Sequence, residues 1–538
     1  MKNKLFVPAS ISLALLAAAG CTKNFEMINT DPNHITGVNV NYATLLTNAQ
    51  LITSGNSDGN AYEDWRGNLI YSGCMIQHIS STTGYWDGDK YLYNAGYNSA
   101  YWDQNFGPRS SDGNVNDNSS PIQNIVEVVS NTKTDTKQTN LYNIARIFKV
   151  LQFQRLTDLY GDIPYSQAGL GYINGVTLPK YDKQQDIYTD MLNELQDAAS
   201  KLSTTAANTV GAADIIYGGD VTLWKKFAYS EMVRLAMRLS KADATNAQKW
   251  VQAAVTGGVF ASNADNAIVN HQDAAPNGAG SQVANGSGSV LGLIDPSSAR
   301  LSKTFVDYLN STGDPRLPYF GTVVANPGVS ADKGDTVGTH QLGQPNGYDI
   351  SGSATDISNA ANWPGNQNKY SLVNRYTFAR TTAPTFFLTY GETELLLAEA
   401  AQRGWITTGT AATYYTNGVT AAMQQLGLQA GAGPAAATIT SYLAANPYNA
   451  GAALQQINMQ YWVATFMDEY EAWANWRRSG FPVLTPVGNY PGNVTNGTIP
   501  HRFTYPLTEP GVNGANYNAA VAGLGNGDKM TSHVWWDK

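Results

Sequence analysis

The stretch LYNIARIFKVLQFQRLTDLYGD, residues Leu141–Asp162, decides the fold class. Apolar residues fall at Ile144, Ile147, Phe148, Leu151, Leu156 and Leu159, the three- and four-residue spacing of one face of an α-helix. Gly161 and Pro164 end it, because proline lacks the N–H that the next helical turn needs. The same period recurs outward in both directions. Residues 186–202 are apolar at Ile187, Met191, Leu195, Ala198 and Leu202, and 221–241, 247–255, 300–312, 391–404 and 411–427 read alike. The longest helical segment is 453–480, closed by Gly480 and Pro482, with Arg477 and Arg478 in its last turn, where the helix dipole favours cations. Helices pair, 141–162 with 186–202 and 391–404 with 411–427. In the second pair Ala398, Ala400, Ala401, Ala421 and Ala422 have the small-residue spacing of tetratricopeptide repeats. The expected fold is predominantly all-α: an irregular tetratricopeptide-like helix-pair solenoid, with minor β, scaffolding long irregular loops.

Those loops are where function is expected. Residues 80–120, 261–298 and 321–385 are rich in Ser, Gly, Asn and Asp, and structureless stretches of that length in a compact chain are usually functional or disordered. The aromatic content of two of them argues against disorder. The segment TTGYWDGDKYLYNAGYNSAYWDQNFG (82–107) alternates rings with Asp and Asn. Sugar rings stack on aromatic planes while amides and carboxylates fix their hydroxyls, and ligand sites combine apolar walls with a few placed polar groups. Trp86, Tyr91 and Trp102 in this loop, and Tyr348 and Trp363 in the 321–385 stretch, are the candidate ligand-binding residues. The competing reading is that such rings fold the loops onto the core.

Composition and motifs narrow the chemistry. The chain has 538 residues and a formal net charge of −8, which argues against nucleic acid, whose phosphates demand a basic face. Gly55-Asn56-Ser57-Asp58-Gly59 matches G-x-S-x-G but lacks the strand before and helix after that a nucleophile elbow requires. The six histidines are scattered, with no H-E-x-x-H motif, so neither a catalytic site nor a metal site is expected from them. Residues 112–123 begin like a calcium loop but carry Asp117 where glycine is required and Gln123 where a bidentate glutamate is required. Two readings of that stretch stay open, an irregular structural calcium site and an Asx-rich turn. The acids of DEYE (468–471) read as a solvated helix face. Cys74, beside Met75 and Ile76, reads as a buried small hydrophobe.

The N-terminus supplies an address. Lys2 and Lys4 precede a short apolar run that ends Ala-Ala-Ala-Gly-Cys, an export signal too short to span a bilayer. It resembles the bacterial lipobox, which implies a signal peptide over residues 1–20 and a lipidated (palmitate-type acyl) Cys21 as the mature first residue. Residues 21–538 are read as one domain.

An ordered set of segments carries a further resemblance: NFEMINTDPN (24–33), RLTDLYGDIPYSQA (155–168), VTLWKKFAYSEMVRLAMRLS (221–240), YGETELLLAEAA (390–401), YEAWANWRRSGFPVL (470–484), RFTYPLTEP (502–510) and HVWWDK (533–538). In this order they resemble the SusD/RagB family of outer-membrane lipoproteins of Bacteroidetes, over essentially the full mature chain. The resemblance implies a helical scaffold and a non-catalytic, surface-exposed nutrient-capture protein. Its partner would be a SusC-like TonB-dependent transporter, and its ligand an oligosaccharide or a peptide. The alternatives are a surface glycoside hydrolase with loop-borne carboxylates, and a structural transporter lid without ligand selectivity.

Overall fold

The computed structural model describes residues 40–56, 62–107, 120–273, 283–488 and 490–538, with Ala43–Lys538 as one compact unit. Residues 1–20, Cys21, Ser57–Gly59 of the G-x-S-x-G match and 112–119 of the calcium-like stretch lie outside the described residues.

The longer helices are α1 (Tyr42–Thr53), α2 (Ala95–Phe106), α3 (Pro121–Thr132), α4 (Thr139–Tyr160), α5 (Gln184–Lys201), α6 (Val221–Arg238), α7 (Ala244–Gly257) and α8 (Lys303–Thr312), then α9 (Tyr390–Gln402), α10 (Ala411–Gln424), α11 (Ala436–Ala445), α12 (Ala453–Ala464), α13 (Glu469–Ser479) and α14 (Gly514–Ala522). Strands are short: β1 (Ile79–Ser80), β2 (Ile163–Pro164), β3 (Tyr181–Asp182), β4 (Ala267–Val269), β5 (Arg300–Leu301), β6 (Gly321–Thr322), β7 (Leu372–Val373) and β8 (Thr385–Leu388). One antiparallel sheet runs β1-β5-β7-β6, while β2 pairs with β3 and β4 with β8. The all-α expectation holds, and the strands only tie the loops together.

Both expected helix pairs form, α4 on α5 and α9 on α10. The second pair is close enough to need small residues. A Cβ on Gly418 would lie 2.7 Å from Leu395 Cγ and 3.0 Å from the Gly391 carbonyl. Helix α4 is enclosed on nearly all sides, by α3, α5 and α6. Its apolar ridge is buried, and so are the polar residues Gln152, Gln154, Thr157 and Asp158. Its polar side chains are largely paired: Arg146 Nε donates to Glu194 Oε2 of α5 at 2.8 Å and Gln154 Nε2 to Asp158 at 2.6 Å, while Gln152 Oε1 and Gln154 Oε1 find no partner among the described residues.

Three expectations are corrected. First, 453–480 is two helices. The chain breaks between α12 and α13 at Thr465–Asp468, with Met467 at φ +80°. The backbone groups freed by the break find partners: Met467 N donates to Glu469 Oε1 at 2.9 Å, and its carbonyl accepts from Asn68 Nδ2 at 3.1 Å. Second, the acids of 468–471 are not a solvated face. Asp468 pairs with Arg155 at 3.2 Å, Glu469 with His78 at 2.6 Å and Glu471 with Arg238 at 2.5 Å, all on largely buried side chains. Third, the polar 80–120 stretch contains the helix α2, capped by the Asn94 side chain, which accepts from Tyr97 N. Cys74 is buried as expected.

The helices meet on a buried ionic network. From α6, Arg234 reaches Glu392 of α9 at 2.6 Å, and Arg238 reaches Glu471 of α13 at 2.5 Å and Asp158 of α4 at 3.3 Å. Arg478 of α13 grips both carboxylate oxygens of Glu399 on α9 at 2.8 Å each. Burial works against ionising Glu399, but the Arg478 guanidinium, seconded by Arg403, overcomes it and holds the carboxyl at about 2. Removing one partner of such a pair strands the other in the interior.

Glu399→Gln is expected to cost about 3–5 kcal/mol of unfolding free energy, read by chemical denaturation. The Glu399 contribution, from a carboxyl depressed in the folded state, is fully present above the ordinary carboxylate value and lost as pH falls toward about 2. The stability difference between wild type and Glu399→Gln should therefore shrink as pH is lowered through that window.

Candidate functional site

The 81–91 segment is held to the body by an ion pair with no exposure. Lys90 Nζ spends all three donors inside, on Asp89 Oδ1 (2.9 Å) and the carbonyls of Ser81 (2.7 Å) and Trp86 (2.9 Å). Asp89 Oδ2 accepts from Ser80 Oγ, Ser81 N and Gly347 N, each at 3.3 Å. This carboxylate therefore joins the two loops singled out from the sequence. Gly88 is forced there: a Cβ would sit 1.9 Å from the Ile70 carbonyl oxygen. A second carboxylate fixes the outer turn. Asp295 accepts from Trp86 Nε1 (2.7 Å) and Tyr85 Oη (2.8 Å) on one oxygen, and from Ser298 Oγ (2.5 Å) on the other.

This architecture relocates the candidate rings. Trp86, Tyr91 and Trp102 are 0%, 1% and 5% exposed, which corrects the expectation that they offer faces to a ligand. Trp86 is the indole that Asp295 anchors. Tyr91 Oη accepts from Val487 N at 3.3 Å. Trp102 lies on α2 and packs against Tyr181 (5.7 Å, stacked), Tyr160 and Tyr505. Tyr348 and Trp363 are brought together. Both are half-buried and pack on one small cluster of Ile357, Ala360 and Tyr370, with Trp363 6.2 Å from the Tyr370 ring.

The open rings are their neighbours. Tyr85 and Tyr93 are 46% and 41% exposed. Tyr97 on α2 and Trp65, on the π-helical segment Asp64–Gly73, are half-buried. Trp65 meets Tyr85 edge-on at 6.3 Å, and its Nε1 donor is covered yet has no partner among the described residues. The Arg66 guanidinium lies 4.0 Å over the Tyr62 ring and 5.5 Å from Trp65. Asn94 Nδ2 donates to Asp87 Oδ2 at 3.3 Å, and burial pushes the Asp87 carboxyl up. Burial also pushes the Tyr97 phenol up to about 12, with the Asp87 charge adding to it. Aromatic faces, a carboxylate, an amide and a guanidinium thus share one surface whose backbone is fixed from beneath. That surface can stack neutral rings and hydrogen-bond hydroxyls. The sequence reading missed Trp65 because no loop composition marks it, and it chose Trp86 over Tyr85 because composition does not tell which of two adjacent rings is covered.

A separate crevice is lined by Glu63, Asp64, Arg155, Asn285, Thr385 and Asp468 among others. Burial raises Glu63 to about 7 and lifts Asp64 well above its ordinary value. The backbone closes on Asp64: Cβ atoms on Gly55 and Gly286 would lie 2.2 and 1.9 Å from Asp64 Oδ2. A sugar ring has no room beside that oxygen.

Lys90→Met should leave Asp89 buried without its cation, costing about 3–5 kcal/mol of local stability. Hydrogen exchange is expected to speed up in residues 80–91 and 344–349 while α4, α6 and α9 stay protected.

Comparison with known proteins places this surface in context. The sequence model of a SusD-like family, described as starch-binding associating with outer membrane, matches residues 32–506. Among solved structures, a chitin-binding protein is 34% identical with a TM-score of 0.78, covering 93% of this chain and 100% of its own. A Bacteroidetes SusD-like protein is 26% identical with a TM-score of 0.78 over the same shares. A chitin-binding SusD homologue from Flavobacterium johnsoniae, 22% identical with a TM-score of 0.70, covers 92% of this chain and 98% of its own and shares the fold. No curated protein matches significantly.

Proposed function

The chain belongs to the SusD-like family, and from that premise we propose that it captures an oligosaccharide on the Trp65–Tyr85–Tyr97 surface and delivers it intact to a SusC-like TonB-dependent transporter. The observation that carries this reading is the row of part-exposed rings beside Asp87 and Asn94, on a turn clamped by Lys90–Asp89 and Asp295. The clamp orders the binding surface before the ligand arrives, so little conformational entropy is lost on capture. Binding on an open face also stays reversible, as a hand-over requires. Tyr348 and Trp363 form a second aromatic face, tied to the first through Gly347 and Asp89.

The family description supports outer-membrane association. In this reading residues 1–20 are removed, Cys21 carries the lipid, and residues 21–538 form a single SusD/RagB-like domain facing the cell exterior. None of the described helices is long and apolar enough to cross a membrane, so the lipid would be the attachment. The name of the 34%-identical relative makes β-linked N-acetylglucosamine oligomers the first ligand class to test.

Trp65→Ala and Tyr85→Ala are each expected to weaken binding of an N-acetylglucosamine hexamer roughly tenfold, about 1.4 kcal/mol, by calorimetric titration. Thermal unfolding should change little, because both side chains are part-exposed. Unchanged affinity in both variants would overturn this placement of the site. Cleaved hexamer in the cell would overturn the non-catalytic reading.

A further inference from the structure

Folding gathers two histidines that are far apart in sequence. His501 lies in the segment after Pro500 and His533 in the C-terminal turn, and Asp537 projects between them. His501 Nδ1 and His533 Nδ1 lie 2.7 and 2.9 Å from the same oxygen, Asp537 Oδ2. The two imidazoles are 4.0 Å apart, centroid to centroid. The potential ligand atoms all fall within 4.8 Å of one another, and no other such group of three or more exists among the described residues.

An ion-pair role does not account for this arrangement. One carboxylate neutralises one imidazolium, and Arg477 already acts on Asp537. That guanidinium is fixed nearby over Trp473 and Trp536, donating to the His501 carbonyl at 3.0 Å. A second imidazole against the same oxygen is surplus to charge balance. Two imidazoles and one carboxylate are, however, a familiar zinc donor set, and three protein ligands leave a fourth position for water. The hard-cation alternatives, calcium and magnesium, need oxygen ligands in greater number.

We propose that His501, His533 and Asp537 bind a divalent transition-metal ion, zinc first, which pins the C-terminal turn to the segment around Pro500. In binding, each imidazole releases or shifts its Nδ1 proton, so that both Nδ1 lone pairs and one carboxylate oxygen face the ion. Tetrahedral coordination at roughly 2.0–2.2 Å from each ligand atom sets neighbouring ligand atoms about 3.3–3.6 Å apart, so the two imidazole–carboxylate contacts have to open by roughly half an ångström or a little more. His533 supplies the route in: its side chain is 51% exposed. It also borders a surface cleft formed with Asp162, Asn526 and Trp535.

The test uses the purified protein without a polyhistidine tag, stripped of metal and titrated with zinc chloride against a chromophoric chelator at pH 7.5. One ion is expected to bind. His533→Ala and Asp537→Asn should each lower affinity at least tenfold, while His340→Ala, at an exposed histidine paired only with Asp335, should not. Cobalt(II) gives a second readout: its visible d–d absorption should appear in the wild type and vanish in His533→Ala. His533 is half-exposed, so that variant should fold, which its circular dichroism would verify. No stoichiometric binding, or zinc affinity and a cobalt spectrum unmoved by His533→Ala, would overturn the proposal.

Discussion

Everything in the structure depends on burying arginines and carboxylates together at the meeting point of four helices. Arg234 and Arg238 of α6 bridge Glu392 on α9, Glu471 on α13 and Asp158 on α4, and Arg478 closes the set onto Glu399. Desolvating these charges is expensive, and the interior holds them by setting each guanidinium against a carboxylate, although Arg234 Nε and Nη1 and Arg238 Nε make no hydrogen bond among the described residues. Directional bonds of this kind favour one packing of the helices over others of similar apolar burial. Glu231, with both oxygens lacking hydrogen-bond partners, is pushed up to about 7 by the same burial, which marks how closely the network is balanced.

The sequence segments that carry the family resemblance are largely the segments that build this network. RLTDLYGD supplies Arg155 and Asp158, VTLWKKFAYSEMVRLAMRLS supplies Arg234 and Arg238, YGETELLLAEAA supplies Glu392 and Glu399, and YEAWANWRRSG supplies Glu471, Arg477 and Arg478. The fold was therefore legible: helix period gave the elements, and the resemblance rests on residues under the strictest packing demand. The pairing itself was not legible. DEYE (468–471) has the composition of a solvated face, and only tertiary contact turns it inward. The break at Met467 was equally hidden, because its cause is a set of partners, Asn68 and Arg155, remote in sequence.

The proposed binding surface can be traced in the sequence as a region and not as residues. Loop composition singles out the aromatic 82–107 stretch on which the proposed surface is built, but which rings face out is set by tertiary contacts such as the Lys90–Asp89 pair beneath the turn. Trp86 and Tyr91 lie inward and Tyr85 and Tyr93 outside, although Tyr85 and Trp86 donate to the same Asp295 oxygen. Trp102 was lost to a helix that polar composition disguised. The scattered histidines follow the same logic, since no spacing along the chain foretells that His501 and His533 meet. In the proposed reading, the buried charged core supports a locally clamped turn that presents rings without the scaffold having to move.

The most direct measurement is a crystal structure of the protein soaked with an N-acetylglucosamine hexamer. The account predicts an intact oligomer with sugar rings in van der Waals contact with Trp65 and Tyr85, its hydroxyls or acetamides hydrogen-bonded to Asp87 or Asn94, and the 81–91 backbone unmoved. Sugar seated away from these rings, or a cleaved product in the Glu63–Asp64 crevice, would contradict it.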